Sequence, residues 1–249
     1  MECRQDEIFS RSRGVLGADG SEKLACASAA VFGTGGVGGW CAEALVRTGI
    51  GGITIVDCDT IAPSNINRQI MANPASTGEY KVEVLAARLG RINPSCRVTS
   101  VKTRFCAETA AAFDLSEFDV VIDAIDSVAD KCLLVKNALE AGKPALFSSM
   151  GAAFRRDPLK VRTADFTKIE GDALARAMRR TMRKEGFFPP KPFTCVYSSE
   201  QPSAPDVKGV KGSLVQVTAV FGMVLASLAV EHVCNGGKTS RPVADARNI

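Results

Sequence analysis

Residues 29–38 read Ala-Ala-Val-Phe-Gly-Thr-Gly-Gly-Val-Gly. The four apolar residues predict a buried strand, and the pattern from about Val37 to Thr48 predicts a helix. The glycines between them have the spacing G-x-G-x-x-G, which allows a tight turn beside a phosphate at the free N–H groups of a helix start. The stretch therefore predicts a nucleotide-binding loop, with phosphate contacts at Gly33, Gly35, Gly36 and Gly38.

The same alternation of strand and helix continues as far as Gly151. Strand-like runs cover about 53–57, 97–101, 119–124 and 144–148, and helical patterns cover 81–92 and 128–141. Apolar strands that alternate with helices predict a mostly parallel sheet covered on both faces, and right-handed crossovers make it doubly wound and Rossmann-like. Ligands bind such a sheet at the carboxyl ends of its strands.

The pattern changes after Gly151. Residues 159–162 and 194–197 predict antiparallel strand additions, 172–184 a basic helix, and 214–233 a C-terminal helix. We predict a single domain of residues 1–234. It would have a nucleotide-binding half at 9–150, a substrate or dimer half at 151–234, and a flexible tail at 235–249.

The composition is that of a globular protein. Of 249 residues, 46% are hydrophobic and 23% charged, and the net charge of +4 permits a polyanionic partner without requiring one. The apolar run at 214–233 approaches membrane-spanning length but contains Gln216, Glu231 and His232. A helix buried on the sheet is therefore predicted, with no stable membrane insertion.

The cysteines point to a reducing compartment. The nine cysteines are scattered, and no Cys-x-x-Cys pair is present, so the usual signal for a structural zinc site is missing. The first residues are polar and do not form a signal-peptide pattern. Reduced thiols in the cytoplasm are the simplest interpretation.

An acidic residue ends the second predicted strand. Asp57 lies 19 residues after Gly38, where its carboxylate can bond a ribose hydroxyl. These features alone fit a dinucleotide dehydrogenase as well as an enzyme that uses ATP.

Residues 57–69, Asp-Cys-Asp-Thr-Ile-Ala-Pro-Ser-Asn-Ile-Asn-Arg-Gln, favour ATP. Arg68 can neutralise phosphate oxygens, Asn65 can orient them, and Lys81 adds a further cation. Asp59 and Gln69 are also predicted nucleotide contacts.

A second acidic residue follows the fourth strand. Asp126, in Asp-Ala-Ile-Asp-Ser at 123–127, is a candidate ligand for Mg²⁺ beside a triphosphate. The alternative is that Asp126 caps the helix that begins near Val128. Ser127 is a predicted nucleotide contact.

Together these residues resemble the ubiquitin-activating-enzyme-like superfamily of adenylyltransferases. The resemblance implies that the glycine loop holds ATP, that Asp57 holds the ribose, and that Asp126 coordinates Mg²⁺. It also implies a homodimer in which Arg11, within Phe9-Ser10-Arg11, acts on the partner's site; a solvated surface arginine is the alternative. The implied catalytic residues are Arg11, Arg68, Lys81 and Asp126.

Within the superfamily, the chain is similar to the tRNA threonylcarbamoyladenosine dehydratases. The similarity lies in six short stretches, at 124–128, 148–152, 157–158, 172–176, 196–200 and 212–213. It implies a substrate tRNA that carries threonylcarbamoyladenosine. ATP would activate the threonyl carboxylate as an acyl-adenylate, and a nitrogen or oxygen of the same modification would then displace AMP to leave a cyclic product.

An alternative activity remains open within the same superfamily. The enzyme could adenylate the C-terminus of a ubiquitin-like sulfur-carrier protein, with a sulfur-transfer or carrier protein as its partner. The absence of Cys-x-x-Cys pairs argues against that branch. Some dehydratases carry a cysteine before the last helix, but residues 208–213 contain none, which argues against a catalytic thiol at that point. Cys195, on a predicted strand near Ser198 and Glu200, is the best-placed candidate for a covalent intermediate; the alternative is a buried structural cysteine.

The predicted basic helix carries a stripe of arginines. Arg176, Arg179, Arg180 and Arg183 are spaced i, i+3, i+4, i+7, which places them on one helix face. Such a stripe can bind a phosphate backbone, or it can be a solvated face. The predicted tRNA contacts are Arg155, Arg156, Arg176, Arg179, Arg180, Arg183 and Lys184.

Overall fold

The computed structural model describes residues 5–203 and 211–237. Its sheet has the strand order β3-β2-β1-β4-β5-β7-β6. The strands are β1 (Ser28–Phe32), β2 (Gly52–Val56), β3 (Arg97–Val101), β4 (Val120–Asp123), β5 (Ala145–Ser149), β6 (Val161–Asp165) and β7 (Thr194–Ser198). The helices are α1 (Gln5–Ile8), α2 (Ser10–Cys26), α3 (Gly38–Thr48), α4 (Lys81–Ile92), α5 (Val128–Ala141), α6 (Ala173–Lys184) and α7 (Val215–Cys234).

The predicted fold class is confirmed. Strands β1 to β5 and β7 are parallel to one another, and β6 pairs antiparallel with β7 at the edge of the sheet. Because β7 is parallel to β5, the antiparallel addition consists of β6 alone rather than of both C-terminal strands. Helices α4 and α5 have the predicted bounds.

The strand order places a topological switch at β1. After β1, the chain forms β2 and β3 on one side of that strand, and then β4 and β5 on its other side. The crevice above the carboxyl ends of β1 and β4 is where doubly wound sheets bind their ligands.

Each face of the sheet has its own hydrophobic core. Alternate residues of β1 point to opposite faces, so Val31 belongs to the core beneath α3, α4 and α7, and Phe32 to the core beneath α5 and α6. Both side chains are buried, as continuous apolar strands require when a sheet is covered on both faces.

The C-terminal helix α7 packs directly on α3. A Cβ on Gly222 would lie 2.5 Å from the carbonyl oxygen of Val37, so only glycine permits this approach. Among the described residues, α7 is the helix with the length and mean hydropathy (1.8) to cross a membrane. Its residues Val217, Phe221 and Leu225 are fully buried, as the predicted core helix requires.

Some expectations fall on parts of the chain that the structure leaves undescribed. Of the predicted tail, residues 238–249 lie outside the described residues, as do residues 208–210 of the segment without cysteine.

Candidate functional site

A cavity of about 850 Å³ lies at the carboxyl ends of the central strands. Its wall combines the loop after β1, the segment after β2, the start of α5 and the loop after β5. The sequence prediction of a binding site at this edge agrees with the position of the cavity.

The loop after β1 depends on glycine at its two ends. Gly33 has φ +86°, and a Cβ there would lie 2.6 Å from the carbonyl oxygen of Ala124. A Cβ on Gly38 would lie 1.8 Å from the carbonyl oxygen of Gly33. Gly38 is buried behind the loop, so close packing is what requires glycine there, and its phosphate contact stays a prediction.

Gly35 and Gly36 lie on the cavity wall. At Gly35 the nearest atom to an added Cβ is 3.8 Å away, so the backbone is open on the side where a phosphate would bind. Gly36 lies against the side chains of Arg68 and Thr218, where an added Cβ would lie 3.1 and 3.2 Å from their nearest atoms. These two glycines therefore bring bare backbone to the cavity.

Asp57 is held in place by the same loop. Its Oδ2 accepts hydrogen bonds from the backbone N–H (2.7 Å) and hydroxyl (3.0 Å) of Thr34, and its Oδ1 accepts from the N–H of Asp59 (2.9 Å). A carboxylate offers about four acceptor positions, so acceptor capacity remains for a ribose hydroxyl.

Lys81 forms an ion pair with Asp59 at the wall of the cavity. The Nζ to Oδ2 distance is 2.6 Å, with the Lys81 side chain only 7% exposed. The hydrogen bond from Lys81 holds the pKa of Asp59 below its ordinary value. Asp59 therefore fixes the position of Lys81.

Arg68 is oriented by its own segment. Its Nη1 donates to the carbonyl oxygen of Ser64 (2.8 Å) and to Oδ1 of Asn67 (2.9 Å). Asn65 accepts from the N–H of Ala62 (3.0 Å), which forms the turn that presents Arg68. Gln69 is buried, and its Oε1 has no hydrogen-bond partner among the described residues.

Asp126 lies on the cavity wall with an 84% exposed side chain, 3.3 Å from Nζ of Lys211. The residue at the N-cap of α5 is Ser127, so the capping alternative for Asp126 is wrong. An accessible carboxylate on the wall of this cavity fits Mg²⁺, which takes one or two carboxylates together with phosphate and water oxygens.

The structure adds a buried ion pair that the sequence analysis missed. Nζ of Lys131 lies 2.8 Å from Oδ2 of Asp123, and both side chains are fully buried. Lys131 also donates to the carbonyl oxygen of Ile125 (3.1 Å), and the hydroxyl of Ser148 donates to Asp123 (2.6 Å). The pair therefore anchors the loop that carries Asp126. A lysine among the apolar residues of α5 was the available signal.

A second missed pair lies at the cavity wall. Arg104 bonds Asp130 through Nε (2.8 Å) and Nη2 (2.7 Å). Both residues line the cavity, but neither belongs to a recognisable motif, since they lie 26 residues apart.

Two of the residues predicted to contact the tRNA phosphate backbone are not on an exposed face. Arg179 is half-buried and donates to the carbonyl oxygens of Phe166 and Ile169, both at 3.0 Å, because it flanks the buried face of α6. Arg155 is 4% exposed and lies on the cavity wall. The exposed members of the predicted set are Arg156, Arg176, Arg180, Arg183 and Lys184.

The structure also excludes Cys195 as a nucleophile. Its thiol is fully buried, and this burial raises its pKa well above the ordinary value. Cys195 also does not line the cavity, so it lacks the access and the low pKa that a nucleophilic cysteine needs. Arg11 is exposed on α2 and does not line the cavity of its own chain, so its action across a dimer stays a prediction.

The glycine loop, the Asp57 carboxylate and the ordered side chains of Arg68 and Lys81 lie together at the carboxyl ends of a doubly wound sheet, an arrangement typical of nucleotide-binding α/β proteins. More narrowly, the chain belongs to the ThiF family, whose model matches residues 9–244.

Individual relatives support the same assignment. The chain is 40% identical over 194 residues to the tRNA threonylcarbamoyladenosine dehydratase of Bacillus subtilis, covering 78% of this chain and 75% of the relative. It also resembles crystal structures of the E. coli tRNA N6-threonylcarbamoyladenosine dehydratase. The AMP complex has a TM-score of 0.88 at 34% identity and covers 94% of this chain and 97% of the relative. The ATP complex has a TM-score of 0.86.

A relative with a different activity matches as well. The molybdopterin-synthase adenylyltransferase of Escherichia coli is 34% identical over 206 residues, covering 81% of this chain and 75% of the relative.

Proposed function

We propose that this protein is an ATP-dependent tRNA threonylcarbamoyladenosine dehydratase. The observation that carries the proposal is the similarity over 94% of the chain to an E. coli dehydratase crystallised with AMP and with ATP. The cavity with its open glycine loop and ordered cations lies at the carboxyl ends of the strands, where such a sheet binds a nucleotide.

ATP fits the groups on one half of the cavity. The bare backbone at Gly35 and Gly36 would lie against the phosphates, with the ribose at Asp57. Arg68 and Lys81 supply positive charge that stabilises the pentacoordinate α-phosphorus and the departing pyrophosphate. Asn65, Asp59 and Gln69 position these groups, and Ser127 lies on the same wall.

Magnesium fits at Asp126. A bound Mg²⁺ would neutralise charge on the phosphate oxygens. Nζ of Lys211 lies 3.3 Å from the Asp126 carboxylate, so a bound Mg²⁺ would compete with Lys211 for that carboxylate.

The reaction needs little acid–base chemistry from the protein. A carboxylate oxygen of the threonyl group attacks the α-phosphorus of ATP, and pyrophosphate leaves. A nitrogen or oxygen of the same modification then attacks the activated carbonyl carbon, and AMP leaves with the carboxylate oxygen. Since the nucleophile is tethered to the substrate, positioning and charge neutralisation provide the rate enhancement. The single histidine, His232, packs near Phe147 and is not among the residues that line the cavity.

The tRNA backbone fits the exposed face of α6. We name Arg176, Arg180 and Arg183 the α6 basic face; Arg156 and Lys184 are exposed as well. The opposite face of the helix, with Ala175, Met178 and Met182, is buried in the core. This division leaves the guanidinium groups free for phosphates.

We further propose that two copies of the chain form a homodimer in which Arg11 reaches the partner's phosphate site. Residues 1–234 would form one domain, with both halves of the chain lining one cavity. The cytoplasm fits the eight described cysteines, all of which are free thiols.

The direct test is mass analysis of tRNA nucleosides. Purified protein, ATP and Mg²⁺ are incubated with tRNA that carries threonylcarbamoyladenosine. Loss of one water from that nucleoside, with formation of AMP and pyrophosphate, is expected. An unchanged nucleoside mass, with active protein that binds ATP, would refute the proposal.

A second candidate is adenylation of a carrier protein's C-terminus, favoured by the similarity to the molybdopterin-synthase adenylyltransferase. Pyrophosphate exchange into ATP separates the two. Stimulation by modified tRNA supports the dehydratase, and stimulation by a carrier protein that ends in Gly-Gly supports the alternative.

A further inference from the structure

Arg155 lies in the loop between β5 and β6, on the cavity wall. The residue is 4% exposed, and its Nε and Nη1 have no hydrogen-bond partner among the described residues. A buried donor that has lost water and gained no protein partner destabilises the folded state, and a charged donor does so more than a neutral one. The unpaired guanidinium therefore destabilises the ligand-free fold, and a ligand that accepts its hydrogen bonds would remove that cost.

The nearby carboxylate does not satisfy Arg155. Oδ2 of Asp172 lies 3.8 Å from Nη2, which is too far for a hydrogen bond. Asp172 is also committed elsewhere, since Oδ1 accepts from the N–H of Ala175 at the start of α6 (2.9 Å) and Oδ2 accepts from the N–H of Gly151 (3.2 Å). Asp172 thus offsets the charge of Arg155 from a distance and leaves its hydrogen-bonding fork unused.

The loop holds Arg155 rigidly. Phe154 has φ +59°, an uncommon conformation for a residue with a side chain, and strained backbone of this kind persists where its surroundings enforce it. The N–H of Phe154 donates to Gly212 (2.9 Å), and the N–H groups of Arg156 and Asp157 donate to the Glu200 carboxylate (3.0 Å each). The backbone on both sides of Arg155 is thereby fixed before any ligand arrives.

Arg155 differs from the other cations of the cavity. Of the five basic side chains on its described wall, it is the one with buried donors that lack a partner. Arg68 and Lys81 lie with the glycine loop, where ATP is proposed to bind, whereas Arg155 lies with the loop after β5. An acid that must approach an anionic triphosphate needs a cation of its own, because like charges repel at short distance.

We propose that Arg155 binds the carboxylate of the threonylcarbamoyl group and holds it for attack on ATP. This inference rests on the proposed dehydratase function. The planar guanidinium offers two parallel N–H donors that match the two oxygens of a carboxylate, a geometry that lysine cannot reproduce. Arg155 would thus select for a free acid.

The test measures binding of the free nucleoside threonylcarbamoyladenosine and of its methyl ester by calorimetry, in the presence of a non-hydrolysable ATP analogue. The wild-type protein is expected to prefer the acid by about 10-fold or more, since hydrogen bonds to charged groups contribute about 1.5–3 kcal/mol. Arg155→Met should remove this preference and leave affinity for the ATP analogue within about twofold. Arg162→Met, at an exposed position on β6, is the matched control and should behave as wild type.

A full preference for the acid in Arg155→Met would overturn the inference. If that variant does not fold, Arg155→Lys serves instead, because it keeps the charge but loses the paired donors. A clearly reduced preference in Arg155→Lys supports the inference, and an unchanged one contradicts it. Failure of the dehydratase proposal would look different: the wild-type protein itself would bind neither nucleoside and would leave modified tRNA unchanged.

Discussion

Replacement of Lys131 by methionine tests whether the buried ion pair organises the nucleotide site. Methionine retains most of the packing volume of the lysine stem but leaves the Asp123 carboxylate without its cation. Both side chains are 0% exposed and 2.8 Å apart, so solvent cannot replace the lost partner. Removing one member of such a pair destabilises a protein by about 3–5 kcal/mol.

Urea unfolding followed by circular dichroism measures this cost. With a slope of about 3 kcal/mol per molar, a loss of that size lowers the midpoint by about 1–2 M. Lys136→Met, an exposed position on the same helix, is the matched control and should change stability by less than about 0.5 kcal/mol. The affinity for ATP should also fall in Lys131→Met alone, because Lys131 holds the carbonyl of Ile125 beside Asp126.

A double-mutant cycle with Asp123→Asn completes the test. The double variant should be markedly more stable than the sum of the single changes predicts, because it no longer buries an unpaired charge. A cost below about 1 kcal/mol for Lys131→Met, or a coupling energy near zero, would refute the reasoning.

Four further outcomes are expected. Gly38→Ala should abolish ATP binding or lower the affinity for ATP at least about tenfold, because the added Cβ would overlap the carbonyl oxygen of Gly33. Isothermal titration with ATP measures the affinity, and a wild-type value would contradict the prediction. Cys195→Ala should retain kcat for dehydration, since its buried thiol has a raised pKa; a loss of activity in folded protein would restore the covalent route. Replacement of all three arginines of the α6 basic face by glutamine should reduce the slope of log K against log[salt] for tRNA binding by about 2–3. The same replacement at three exposed positions elsewhere, Arg91, Arg97 and Lys136, should leave that slope unchanged. Burial raises the pKa of Glu43, but hydrogen bonds from Arg88 and Arg47 outweigh the effect of burial and hold that pKa below its ordinary value. The stabilisation that Glu43 provides is therefore present above its unfolded-state pKa and is lost as the pH falls through its folded-state pKa. Glu43→Gln should make the free energy of unfolding depend less steeply on pH in acid.

Local patterns carried most of the fold. The apolar runs and the helical periodicity of α4 and α5 predicted their elements to the residue, because both reflect burial on a sheet covered on two faces. The pairing of β7 with β5 was missed, since strand order after a long excursion depends on tertiary packing. The amino-acid sequence of α6 does not indicate beside which strand of the sheet the chain returns after that helix.

The candidate site was predictable where its residues follow a strand end directly. Asp57 and Asp126 were found in this way, because parallel strands bring their carboxyl ends to one edge. The prediction that Arg155 is exposed was wrong. Two adjacent arginines in a turn are usually solvated, and only the packing of the loop near Asp172 shows that Arg155 is buried. The lysine among the apolar residues of α5 marked Lys131 as unusual, but its partner Asp123 comes from the preceding strand, so the pair itself depends on tertiary packing.

Transfer of oxygen from substrate to AMP tests the central claim most directly. Modified tRNA with ¹⁸O in both oxygens of the threonyl carboxylate is incubated with the protein, ATP and Mg²⁺, and the released AMP is weighed by mass spectrometry. Dehydration through carboxylate adenylation predicts one ¹⁸O atom in each AMP formed and none in pyrophosphate. Cyclic product accompanied by unlabelled AMP would contradict this account.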